Sequence, residues 1–203
     1  MTSSQPLKFE TPDQGEETAR ADLYGLLASL FYAPPSQALL DTLAMAPASG
    51  DAVLQHGWRG LVETCRELRA ETVSDEYEAL FVGVGKPEIL LYGSYYLSGF
   101  LMEKPLIALR NDLARLGLQK ADTVIESEDH IAALCEVMRY LIASDDVLQA
   151  NLVTQKIFFA AHLQPWVREL CTAVENHPRA RFYAAVAHLA QTFFDIEMQA
   201  FDM

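Results

Sequence analysis

The chain has 203 residues, a hydrophobic content of 51% and a formal net charge of −13. That length suits one domain with a core of its own, and that hydrophobic content excludes an intrinsically disordered chain. The acidic balance, with an isoelectric point near 4.7, argues against duplex nucleic acid and anionic membrane surfaces, which need basic faces.

Residues 1–15 are polar, carry Pro6 and Pro12, and read as a flexible tail without the basic and apolar regions of a signal peptide. Residues 16–203 form the predicted domain, with a subdivision near 119–126. Glu16 to Tyr32 places Leu23, Leu26, Leu27, Leu30 and Phe31 on one helical stripe, which Pro34-Pro35 ends. Ser36 is placed to cap a short helix carrying Leu39, Leu40 and Leu43. A longer helix is expected over Asp51 to Ala70, then a short one from Ser74, as cap, through Phe81. Gly83, Gly85 and Pro87 open a loop that runs into the tyrosine-rich stretch Tyr92 to Leu97. That stretch has strand-like composition, but no partner strand is visible, so an irregular lead-in to a helix is expected.

Pro105 to Leu116 reads as a helix with Gly117 at its C-terminal end. The next expected helix starts near Ser127 and runs to Ala143, with Ile131, Leu134, Cys135, Met138, Leu141 and Ile142 at helical spacing. Helices over Val147 to Leu163, Trp166 to Glu175 and Arg179 to Phe201 complete the chain. The predicted class is all-α, a single globular domain of roughly eight to ten helices. No apolar run is long enough to cross a bilayer, so a cytoplasmic protein without stable membrane insertion is expected.

Enzyme signatures are sparse. No phosphate-binding glycine loop, nucleophile elbow, His-Glu-x-x-His or Cys-x-x-Cys is present. The five histidines and three cysteines lack metal-ligand spacing, and the cysteines read as free thiols. No cofactor or metal is therefore expected. The most distinctive stretch is Glu126-Ser127-Glu128-Asp129-His130. With a helix start at Ser127, Glu126, Asp129 and His130 would share a face. Such a cluster could receive a cation, hold a peptide or serve acid/base chemistry. Ser127 as N-cap with acids in the first turn is the plain structural alternative. Seven acids against two bases between Lys120 and Ala150 leave a local charge of −5, either a solvated face or a dock for a basic peptide. Tyr77, Leu80 and Phe81 fall on one helical face, which by itself reads as core.

Taken together, five pieces in order resemble the TorD/DmsD family of maturation chaperones for molybdenum-containing redox enzymes. They are Tyr77-x-x-Leu80-Phe81, Tyr92-x-Ser94-x-Tyr96, Arg110 with Leu116-Gly117, Glu126-x-x-Asp129-His130 with Leu134 and Met138, and Phe158-x-x-x-His162-Leu163-x-Pro165-Trp166. The resemblance spans residues 17 to 198. Ser127 stands where the family often has Pro, and Gly93 where many members have Glu, which leaves the client's identity open. The resemblance implies an all-helical fold with a larger N-terminal and a smaller C-terminal part, in a monomer or a homodimer. It implies a cytoplasmic, non-enzymatic chaperone. Its partner would be an apo-molybdoenzyme catalytic subunit, held by its twin-arginine leader peptide while its cofactor is inserted before export. The peptide site expected on this basis comprises Tyr77, Leu80, Phe81, Tyr92, Ser94, Tyr95, Glu126, Asp129 and His130. Acids and histidine would meet the arginines, and tyrosines, Leu80 and Phe81 the apolar body. Two alternatives stand beside it. One is a nitrate-reductase-type assembly chaperone for a non-exported subunit; the other, of a different class, is a nucleotide hydrolase using Asp129 and His130.

Overall fold

A computed structural model describes residues 12–50, 52–144 and 151–202. Among the described residues there are ten α-helices, one π-turn and no strand. The all-α expectation holds.

The first helix, α1 (Pro12–Tyr32), begins inside the segment expected to be a tail. Its buried face carries Tyr24, Leu27, Phe31 and Ala28, while Leu23 and Leu26 are only half-buried. The stripe is therefore rotated toward the tyrosine, whose hydroxyl has a buried acceptor to reach. Ser36 caps α2 (Gln37–Ala44) as expected, its Oγ accepting from Leu39 N at 3.3 Å. Next come α3 (Val53–Glu67) and α4 (Ala70–Tyr77). The break between them falls at Leu68 and Arg69, both in extended conformation, and not between Ala70 and Ser74 as expected. Ser74 is accordingly inside α4 and not its cap.

Two short helices follow, α5 (Gly93–Ser98) and α6 (Lys104–Arg115). The second half holds α7 (Ile131–Ala143), α8 (Leu152–His162), α9 (Val167–Glu175) and α10 (Phe182–Asp202). The start expected for the eighth helix, near Val147, lies outside the described residues; Asn151 caps it, its Oδ1 accepting from Thr154 N at 2.9 Å.

Helix α1 lies along α7, and α10 packs against both α3 and α9. The core between them is aromatic and aliphatic: Phe159, Trp166, Phe182, Tyr183 and Phe194 are each at most 1% exposed. Cys65, Cys135 and Cys171 are free and buried. Burial pushes the Cys65 thiol up to about 11 and the other two higher still, so none is a ready thiolate at neutral pH.

Two buried carboxylates tie the helices together. Glu76 in α4 accepts from the backbone N–H groups of Arg181, Phe182 and Tyr183 at 2.9, 3.1 and 2.8 Å. These are orphan donors at the head of α10, and an anion there also complements the helix dipole. Glu197 takes a bidentate guanidinium from Arg20, both contacts 2.8 Å, and the Tyr24 hydroxyl at 3.0 Å. Arg20 reaches Gln155 as well, at 3.2 Å. That network joins α1, α8 and α10.

Candidate functional site

The site begins where α4 ends. Tyr77 leads into a π-turn over Glu78–Val82, closed by Gly83 N donating to Glu78 O at 2.7 Å. Gly83 has φ 66°, and a Cβ there would stand 2.3 Å from Lys86 O, so the turn needs glycine. The chain then doubles back, with the N–H groups of Glu88 and Ile89 both donating to Leu80 O at 3.1 and 2.9 Å. This return carries Leu91 to Ser94 alongside residues 129–131. Gly93 N donates to Asp129 O at 2.9 Å and Ile131 N to Leu91 O at 2.8 Å, forming an antiparallel bridge between Tyr92 and His130. The partner for the strand-like tyrosine stretch is thus the acidic motif itself.

Helix α7 starts at Ile131, four residues later than expected. His130 is its N-cap, Nδ1 accepting from Ala132 N at 3.2 Å. The ring is therefore neutral, with its proton on Nε2. Burial lowers its pKa to about 4, against the opposing pull of Glu126 and Asp129. The Tyr92 ring packs edge-on against it at 5.1 Å and the Tyr32 ring at 6.5 Å. Ser127 is not the cap of α7; its hydroxyl donates to Asp129 Oδ1 at 2.5 Å. The other oxygen, Oδ2, accepts from Ser94 N at 2.8 Å at the start of α5. Asp129 is 4% exposed and both its oxygens are engaged. The pair that looked most like an acid/base couple is the clasp between two segments.

The remaining acids of the motif face outward. Glu126 accepts the Tyr92 hydroxyl; burial first, then that bond, raise the Tyr92 pKa. Glu128 takes Arg110 of α6 in a bidentate pair at 3.0 and 2.9 Å. The guanidinium hydrogen bonds hold Glu128 below the usual carboxylate range. Lys120 Nζ donates to the carbonyls of Val124 and Glu126 at 2.9 and 3.0 Å, closing the loop that precedes the motif.

This loop forms one wall of an open groove of about 480 Å³. The other walls are the C-terminal half of α1 (Ala28, Ser29, Tyr32), Leu113 of α6 and the outer face of α7 (Ala132, Ala133, Val137, Tyr140). The lining is mainly apolar, with Glu126, Glu128, Glu136 and Lys120 as its charged members. It suits an apolar chain segment with a cationic end.

Of the nine expected site residues, Tyr92, Glu126, Asp129 and His130 come together, and Tyr77 adjoins them. The Tyr77 hydroxyl donates to Tyr32 O at 2.8 Å, and burial pushes its pKa up to about 12. Only Glu126 lines the groove. Leu80 is fully buried and Phe81 is 9% exposed, the latter packed at 5.0 Å on Tyr183. They stand in the core instead of on a groove wall. Ser94 is buried, and its Oγ accepts from Met102 N at 3.2 Å. Tyr95 is partly exposed on α5, where its ring meets Tyr96. Gly93, the departure from the family pattern, has a packing reason: a Cβ would meet the Trp166 indole at 3.0 Å.

Sequence reasoning missed Tyr32, Glu128, Val137 and Tyr140. One signal was present for the α7 members. That helix is apolar nearly all round, more than one buried stripe requires, and Ala133, Val137 and Tyr140 recur at i, i+4 and i+7. Among the described residues no group of His, Cys, Asp and Glu is arranged to hold a metal ion, and no helix is long and apolar enough to cross a membrane.

Comparison with known proteins agrees with this architecture. Residues 48–172 match the family model for the nitrate reductase delta subunit. The TorD chaperone of Aliivibrio fischeri is 26% identical over 205 residues, covering 89% of this chain and 93% of that protein. That of Shewanella loihica is 27% identical, covering 90% and 92%. A crystal structure from Archaeoglobus fulgidus, described as a redox enzyme maturation protein, superposes with a TM-score of 0.57 at 19% identity, covering 95% of this chain and 99% of that one; it shows the same fold. The motif order, the all-helical architecture and these relatives converge: the chain belongs to the nitrate reductase delta subunit family, as a maturation chaperone of the TorD/DmsD type.

Proposed function

We propose that the groove beside α7 holds the twin-arginine leader of an apo-molybdoenzyme subunit, keeping that subunit in the cytoplasm while its molybdenum cofactor is inserted before export. The observation that carries this reading is the groove's composition. Its walls are apolar, for the body of a leader peptide, and Glu126, Glu128 and Glu136 lie on it. A guanidinium meets carboxylates through short, charge-assisted and often bidentate hydrogen bonds. Helix-in-groove and extended-peptide binding both use such a surface. Asp129 and His130 contribute as positioning residues, since they hold the backbone that carries Glu126 and Glu128.

The nucleotide-hydrolase alternative finds little support. His130 is 4% exposed with Nδ1 engaged, and Asp129 has both oxygens bonded, so neither His130 Nδ1 nor an Asp129 oxygen is free to act as a base. The reading as a chaperone for a non-exported subunit draws on the nitrate reductase delta subunit match. It predicts binding of an N-terminal segment without an arginine requirement.

The test is titration of the protein with a synthetic twin-arginine leader, by calorimetry or fluorescence anisotropy. Binding is expected to weaken with added salt and to fall sharply when both arginines become glutamine. Val137→Arg, on the groove wall, should abolish binding while shifting the melting temperature little. Full binding by Val137→Arg would move the site elsewhere. Undiminished binding of the arginine-free peptide would favour the non-exported client.

A further inference from the structure

One carboxylate lining the groove already holds a guanidinium, and it comes from the protein itself. Arg110 sits one helical turn before Leu113, a groove-lining residue of α6. Its Nε and Nη2 donate to the two oxygens of Glu128 at 3.0 and 2.9 Å, the fork geometry in which arginine best recognises a carboxylate. The two partners are unequally placed. The Glu128 side chain is 15% exposed and lines the groove; the Arg110 side chain is 55% exposed and leans on it from outside. The other groove carboxylates differ. Glu126 is held by the neutral Tyr92 hydroxyl. Glu136 is 49% exposed and pairs with Arg139 of its own helix through a single contact of 2.9 Å. Glu128 is therefore the carboxylate in the groove that is both sheltered and matched in bidentate fashion to a removable guanidinium.

We propose that Glu128 is the arginine subsite of the groove and that Arg110 is its resident stand-in, displaced when the guest arginine arrives. The inference rests on the peptide reading above and assigns its cationic contact to one residue. Two consequences follow physically. Exchanging one guanidinium for another leaves Glu128 paired throughout, so the protein is never left with an uncompensated, sheltered carboxylate. The exchange also sets a threshold. A lone lysine cannot reproduce the two parallel N–H···O bonds, so it competes with Arg110 poorly, and the subsite discriminates arginine from lysine.

The experiment measures affinity for a synthetic twin-arginine leader and for its twin-lysine counterpart, with wild type, Arg110→Gln, Glu128→Gln and the double variant. Removing the competitor should tighten arginine-peptide binding by roughly three- to tenfold in Arg110→Gln, in line with a partly exposed bidentate pair. The gain should be smaller for the lysine peptide and should vanish in the double variant. Glu128→Gln alone should weaken arginine-peptide binding and narrow the arginine-to-lysine ratio. If Arg110 merely braces the loop wall, Arg110→Gln will weaken binding of both peptides equally, and the proposal is overturned. Unchanged affinity in Arg110→Gln overturns it as well. If wild type and all variants fail to bind either peptide, the peptide reading itself fails, and the subsite with it.

Discussion

Helix α1 borders two depressions, and they use charge in opposite ways. Its C-terminal half lines the groove beside α7, of about 480 Å³. Its N-terminal half lines a larger cavity of about 690 Å³ with α10 and α8. The larger one contains Arg20 and Glu197, whose side chains are 14% and 2% exposed. That pair is satisfied from within by Tyr24 and Gln155. Its electrostatics are spent on holding three helices together. In the smaller groove the acids line an open surface, and their partners are exposed arginines or a single hydroxyl. The proposed site is thus the smaller depression, chosen by its charge and not by its volume. What marks a binding groove is charge whose present partner can be exchanged without leaving a buried ion alone.

The sharpest test of that contrast is Glu197→Ala. It takes away the bidentate partner of Arg20, which keeps only Glu17 and Gln155, and the acceptor of the Tyr24 hydroxyl, so the loss is about 3 kcal/mol, the lower end for breaking a buried pair. Chemical denaturation should show the loss, while the folded fraction binds a leader peptide as wild type does. A variant that folds well but no longer binds would make the larger cavity the functional one.

His130 should produce the next largest effect, through pH. Its folded pKa, near 4, lies below the unfolded value near 6.5. Between these values the unfolded chain binds more protons, so stability rises with pH across the window and is lost as pH falls from about 6.5 toward 4. The change is on the order of 3 kcal/mol. His130→Gln should flatten the slope measured by denaturation at several pH values. A slope that persists in this variant would show that another group titrates and that His130 is not the buried neutral cap of α7.

Asp129→Ala should have the smallest effect of the three, about 1–3 kcal/mol, because Ser94 N and the Ser127 hydroxyl lose their shared acceptor. Stability and peptide affinity should fall together, since the clasp holds the groove's loop wall. A carboxylate that touched the peptide directly would give a different outcome, lost binding at unchanged melting temperature. Finding that outcome would restore Asp129 as a direct contact and weaken the division of labour within the motif.

That division explains how far the site was legible. Glu126, Glu128, Asp129 and His130 fall within five consecutive positions, and nothing in their order says which two are buried. The helical reading put Glu126, Asp129 and His130 on one face because a helix was expected from Ser127. The chain instead turns at Glu128 and Asp129, with His130 N donating to Ser127 O at 3.1 Å, and bridges to the tyrosine stretch only at His130, so the shared helical face never forms. Leu80 and Phe81 illustrate the complementary point. Their helical spacing marked an apolar face but not what covers it; Tyr183, about a hundred residues along the chain, does so for Phe81.

Local chemistry by itself determined the fold class, most helix positions, the cap at Ser36, the free buried cysteines and, through five ordered motifs, the family. Each of these follows from spacing, capping or breakers within a few residues, where backbone hydrogen bonding is local. Only the tertiary structure decided the late start of α7, the clasp made by Asp129, the neutral state of His130 and the groove itself. Those depend on the N–H of Ser94 finding a carboxylate 35 residues away, on Arg110 reaching Glu128 across 18, and on α1 lying beside α7. Pairings at such separations are set by how whole helices pack, and no local pattern carries that information.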